Sequence, residues 1–185
     1  MLERVKTVQV SRTSAFGEWT GMEAKGLRIS ERRGLAMIEL AAYARGGPAR
    51  DALSRALGMT LPTAGASFET SGVAALSIGP ERWLVVGNEA AISDLPTPSE
   101  ELAAVTDLTG GRAILTLSGL NAVRTLMKGT AVDLDPAIFP AGAVAVTALQ
   151  RMPAVIWRRG DAYDVIIPRS YAVSTLDWLV IAARS

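Results

Sequence analysis

The chain has 185 residues, 49% of them apolar and 20% charged, with 19 Lys and Arg against 18 Asp and Glu. That balance excludes a disordered polyelectrolyte and supplies no basic field to draw nucleic acid. Cysteine and histidine are both absent. Disulfides, thiolate chemistry and any Ser-His-Asp or Cys-His system are therefore excluded within this chain. A metal site would need oxygen ligands alone, and the carboxylates show no EF-hand spacing.

The length suits one domain, or two small ones sharing a core, burying roughly 70% of the unfolded surface. No segment reaches the ~18 uninterrupted apolar residues of a membrane span, and the first residues lack the apolar run of a signal peptide. A soluble, cytoplasmic protein with no membrane partner is expected. Residues 1–26 are polar, with Val8 and Val10 alternating and Phe16 and Trp19 isolated among polar neighbours. They read as an arm that either frays or docks on a partner through its aromatics.

From there the elements follow in order. Gly34–Ala44 reads as a strand, and Pro48–Leu57 as a helix opened by proline and closed by Gly58. Ser67–Val73 is a weak strand, and Ala75–Ile78 with Arg82–Val86 form a hairpin around Gly79-Pro80-Glu81. Glu89–Leu95 is helical, Ser99–Ala104 is expected to add another turn, and Ala104–Thr109 offers a closing strand. Arg112–Ser118 alternates like a half-buried strand. Ser118 is the expected N-cap of a helix over Asn121–Lys128 that ends at Gly129. Ala143–Leu149, Ala154–Arg158 and Tyr163–Ile167 are strands, the last two joined by a tight turn at Arg159-Gly160-Asp161. Ser170 is the expected cap of a final helix.

The order strand-helix-strand-strand-helix thus occurs twice, with Gly47 to Gly58 answering Gly119 to Gly129 and the Trp83 hairpin answering the Tyr163 hairpin. The expected fold is α+β, two pseudo-repeated ferredoxin-like split βαβ units packed together, over about 27–106 and 107–185.

Chemistry-bearing motifs are few. Gly110-Gly111-Arg112 precedes a strand instead of opening a helix, so it reads as a turn and not as a phosphate loop. No dinucleotide fingerprint occurs. Arg32-Arg33 and Arg158-Arg159 read as solvated charges, with a carboxylate on another subunit as the minority reading. In the last helix, Val173, Leu176, Leu179, Val180 and Ala183 share an arc expected to face the sheet. Tyr171 and Trp178, flanked by Ile181, then project to the other side. Together with Phe16 and Trp19 they are the candidate subunit interface.

An ordered set of short motifs carries a resemblance. Leu27-Arg28-Ile29-Ser30-Glu31-Arg32, Leu61-Pro62, Ile78-Gly79-Pro80-Glu81-Arg82-Trp83-Leu84, Asp107-Leu108-Thr109, Val132-Asp133-Leu134, Ile138-Phe139-Pro140, Pro168-Arg169-Ser170 and Leu176-Asp177-Trp178-Leu179 resemble the gamma subunit family of heterotetrameric sarcosine oxidase. The resemblance covers the chain from about Gly26 onward. It implies a non-catalytic structural subunit of a complex with alpha, beta and delta subunits, which demethylates sarcosine oxidatively. It places FAD, FMN, NAD and tetrahydrofolate in the larger subunits and none in this chain, with no catalytic, cofactor or metal residues here. It also implies distant kinship with the folate-binding aminomethyltransferases, the T-protein of glycine cleavage, whose N-terminal part would share the fold. There an aspartate stands where Asp133 does, but the acidic pair expected later reads Arg151-Met152-Pro153-Ala154, so Asp133 is expected to cap a turn. A minimal folate-dependent protein using Asp133 and a free-standing homodimeric binding module are the alternatives.

Overall fold

Alternating strands in this chain face two apolar layers, not one apolar layer and water. Residues 13–185 are described by a computed structural model. Their strands are β1 (Met22–Ala24), β2 (Leu27–Glu31), β3 (Leu35–Ala42), β4 (Ser67–Thr70), β5 (Val73–Gly79), β6 (Arg82–Asn88), β7 (Ala103–Asp107), β8 (Arg112–Ser118), β9 (Val144–Leu149), β10 (Met152–Arg159) and β11 (Ala162–Pro168). The helices are α1 (Gly47–Leu57), α2 (Glu89–Ser93), α3 (Ala122–Met127) and α4 (Ala172–Arg184), the last preceded by a 3-10 turn at Arg169–Tyr171. The chain is an α+β protein with two antiparallel sheets and few helices.

One sheet runs β1-β2-β8-β11-β10-β9 and the other β4-β5-β6-β3-β7. The segment β9-β10-β11-β8 has the same order of succession as β4-β5-β6-β3, and the next place is taken by β2 in one sheet and β7 in the other. No strand is expected over residues 27–31 from the sequence pattern. In the structure that segment lies antiparallel to β8, from Arg28 opposite Ser118 to Glu31 opposite Leu115. The later half of the chain thus completes its sheet with a strand from the beginning.

Turn chemistry sets the registers. Arg159 pairs with Ala162 across a two-residue loop in which Gly160 sits at φ 62°, a conformation open to glycine at little cost. In α1, Pro48 occupies the first turn and Gly58 is left-handed, its N–H donating to the Arg55 carbonyl.

The sheets pack face to face, with helices on their outer faces. Met37, Leu76, Leu84 and Val86 of one sheet meet Ile114, Val155, Trp157 and Ile166 of the other. Beneath α3 and α4, Ala113, Leu115 and Leu117 of β8 join Leu126, Leu176 and Leu179. Beneath α1, Leu40, Trp83 and Val85 join Leu53 and Leu57. The half-buried reading of β8 is corrected: residues 113–117 are buried on both faces, since Ile114 has a second sheet over it and not solvent. Each such buried branched side chain contributes roughly 1.5–3 kcal/mol.

Both expected serine caps are also corrected. Ser118 is the last residue of β8 and Ser170 lies inside the 3-10 turn, and neither α3 nor α4 has a side-chain cap. At Ser99–Ala104, a turn leads into β7, which closes its sheet beside β3.

Candidate functional site

Asp133 follows α3 in the loop that leads to β9. Its carboxylate is exposed and accepts the Asp135 N–H at 2.9 Å, while Asp135 accepts the Ala137 N–H at 2.8 Å. These consecutive Asx turns shape the loop before Phe139, which packs on Tyr163 with ring centroids 6.4 Å apart. Tyr163 donates its hydroxyl to the Leu134 carbonyl at 3.0 Å, and burial raises its pKa above the ordinary tyrosine value. Gly110 and Gly111 form the turn between β7 and β8.

The arginine pairs find partners inside the chain. Asp164, at the centre of β11, is fully buried on the face turned toward the second sheet. Its carboxylate accepts from Thr116 Oγ1 at 2.6 Å, Arg32 Nη1 at 2.5 Å and Arg159 Nε at 3.1 Å. Arg32 also lies over the Trp157 ring, 5.9 Å from its centroid. The reading of Arg32 and Arg159 as solvated is corrected: the carboxylate they meet is this chain's own. The sequence carried one signal of it, a lone acid among the apolar residues of Tyr163–Ile167. Arg158 donates to the Pro136 and Phe139 carbonyls and lies over Tyr163.

The five candidate interface residues divide. Tyr171 (42% exposed) and Ile181 (68%) stand on the surface. Phe16 is only 7% exposed and belongs to the core beneath α3 and α4, and Trp19 and Trp178 pack partly buried against that core. Trp178 is therefore not turned away from its own fold. The arc of α4 is rotated from the expected one: Ala172, Thr175, Leu176, Leu179, Ala182 and Ala183 face inward, and Val173 is 59% exposed. Small residues let the helix approach the sheet closely, leaving bulkier Val173 and Ile181 outside. On α3's side Leu120 is 96% exposed, beside Met127.

Residues 1–12, with Val8 and Val10, lie outside the described residues. From Thr13 onward the arm is tied down: Arg169 Nη2 donates to the Thr13 carbonyl at 2.9 Å, and Ser14 Oγ donates to Glu31 at 2.8 Å. Among the described residues no group of three or more acidic, Cys or His side chains is placed to hold a metal, and no helix is long and apolar enough to cross a membrane.

Residues 44–185 match the sarcosine oxidase, gamma subunit family. The chain belongs to that family. A sarcosine oxidase subunit gamma from Corynebacterium sp. (strain P-1) is 33% identical over 137 residues, 71% of this chain and 68% of that protein. The subunit gamma of Corynebacterium sp. (strain U-96) is 29% identical over 191 residues, covering 96% of this chain and 92% of its own. Among solved structures, a chain of the heterotetrameric sarcosine oxidase from Corynebacterium sp. U-96 superposes with a TM-score of 0.73 at 26% identity, over 85% of this gamma-family chain and 84% of that one. The glycine cleavage system aminomethyltransferase T from Bartonella henselae shares the fold, with a TM-score of 0.59 at 19% identity over 86% of this chain and 49% of its own.

Proposed function

We propose that this chain is a non-catalytic structural subunit of a heterotetrameric sarcosine oxidase-type flavoenzyme, assembled with alpha, beta and delta companions in the cytoplasm. The observation that carries the reading is the match along nearly the full length to subunit gamma of strain U-96, with reciprocal coverage of a chain in that heterotetrameric enzyme. The complex would demethylate sarcosine oxidatively, with FAD, FMN, NAD and tetrahydrofolate held by its larger subunits.

The chain's own chemistry supports this division of labour. It lacks the histidine that most often serves as general base near neutral pH, and it has no cysteine nucleophile. Asp133 is engaged in a loop turn, as a shaping residue would be. We read the two sheets as pseudo-repeats of one split βαβ unit, the second taking its closing strand from β2 and the first from β7. That arrangement fits a scaffold whose outer faces meet other polypeptides. Tyr171 of the 3-10 turn and the exposed Val173 and Ile181 of α4 are the residues we place at such a contact.

The test is the purified chain alone. It is expected to be colourless, free of stoichiometric flavin and without sarcosine oxidase activity. A yellow, flavin-loaded isolated chain contradicts the proposal.

A further inference from the structure

The core between the sheets opens at one end into a cleft of about 520 Å³, within the size range of small-molecule sites. Its floor is apolar, made by Leu35 and Met37 of β3 and by Ile114 of β8. Its walls carry Arg32, Arg33, Arg112 and Arg169. Glu31 is the acid that lines it, and its carboxylate is already engaged by Ser14 Oγ at 2.8 Å and Arg33 Nε at 2.6 Å.

Three of these guanidinium groups are positioned by the protein. Arg32 is held by buried Asp164, Arg33 by Glu31 and the Trp19 carbonyl, and Arg169 by Thr13 and Ser14. Each such hold uses only part of a fork with five N–H donors. The guanidinium of Arg112 makes no hydrogen bond or ion pair among the described residues. Arg169 directly follows Pro168, the residue opposite Arg112 in the ladder, and its N–H donates to the Gly111 carbonyl at 2.9 Å. Arg112 and Arg169 therefore leave neighbouring strands at the same end of the sheet and line the same cleft.

Asp164 serves Arg32 and Glu31 serves Arg33, whereas Arg112 and Arg169, beside the apolar floor, have no carboxylate partner among the described residues. In sequence, residues 1–12 are themselves net basic, with Arg4, Lys6 and Arg12 against Glu3. We propose that the cleft is a binding site for a small organic carboxylate, its apolar body on the Leu35, Met37 and Ile114 floor and its carboxylate between Arg112 and Arg169. Guanidinium and carboxylate pair through parallel charge-assisted hydrogen bonds, and donors already fixed lose less freedom on binding. An inorganic anion would leave the floor unused, so the apolar body is part of the recognition.

The experiment titrates the full chain by calorimetry at physiological ionic strength with phenylacetate, its neutral analogue phenylacetamide, sodium sulfate and a hexaglutamate peptide. Phenylacetate is expected to bind with a Kd below about 1 mM, a level reachable by a ligand of its size. Phenylacetamide and the variant Arg112→Gln should each weaken binding at least ~10-fold, about 1.4 kcal/mol. Arg112→Gln should keep the wild-type melting temperature, and Arg45→Gln, outside the cleft, should bind phenylacetate as wild type does. No saturable phenylacetate binding overturns the proposal. So does sulfate binding as tightly as phenylacetate, which would mean simple anion attraction, or equal losses in Arg112→Gln and Arg45→Gln. Tighter binding of hexaglutamate would overturn it in favour of an acidic polypeptide.

Discussion

The indole of Trp178 lies against Gly129 so closely that a Cβ at that glycine would overlap the ring. The contact joins the end of α3's segment to the middle of α4 and helps hold both helices on the sheet. Trp178→Ala should cost the isolated chain about 2–4 kcal/mol, below the full range for a completely buried aromatic because the ring is partly exposed. Gly129→Ala should cost about 1–3 kcal/mol by overpacking. Urea denaturation of the lone chain measures both. A Trp178→Ala midpoint equal to wild type would return this residue to the surface and to an interface role.

That relationship also marks where the sequence was legible and where it was not. Arg112–Ser118 is a strand with the bounds read from its alternation, and the proline and glycine around residues 48–58 bracket α1 as read. Those features are local. The phase of α4 is not: apolarity alone places Val173 inward, whereas close packing on the sheet selects Ala172, Thr175 and Ala182. Residues 27–31 alternate Leu27 and Ile29 over too short a span to stand out, and their partner, β8, lies some ninety residues away. The arginine cleft was illegible for the same reason. Arg33, Arg112 and Arg169 converge only because β2, β8 and β11 are neighbours in the sheet.

Asp164 places a carboxyl group in the packed region between the sheets, where it is the shared acceptor of Thr116, Arg32 and Arg159. Asp164→Ala should destabilise the chain by roughly 1–3 kcal/mol, since buried Thr116 loses its acceptor while Arg32 and Arg159, which reach solvent, lose a shared carboxylate. Denaturant midpoints of the variant beside wild type check this. A loss under about 1 kcal/mol would show that the network adds little.

Tyr163 links stability to alkaline pH. Burial raises its folded-state pKa above the value of about 10 expected in the unfolded chain, so the folded state holds the proton more tightly. This contribution is complete below about pH 10 and is lost as pH rises through the folded-state pKa. Tyr163→Phe should cost about 1 kcal/mol near neutrality through the lost bond to the Leu134 carbonyl. The gap between wild type and variant should narrow above about pH 10. Parallel stability curves from pH 8 to 11.5 would rule out this linkage.

The outer face of α4 should separate folding from assembly. Tyr171→Ala and Ile181→Ser remove exposed side chains and should each shift the chain's own stability by no more than about 0.5 kcal/mol. If this face meets a larger subunit, the double variant should weaken assembly at least ~10-fold, about 1.4 kcal/mol. Unchanged affinity for the companions would move the contact to another face, such as that of Leu120 and Met127.

The most direct measurement is native mass spectrometry of the chain co-expressed with its companion alpha, beta and delta subunits. One stable assembly containing this chain once, with flavin on the larger subunits and sarcosine-oxidising activity, is the expected result. A chain that stays alone or pairs only with itself while the companions assemble and turn over sarcosine without it would contradict its role as a structural subunit.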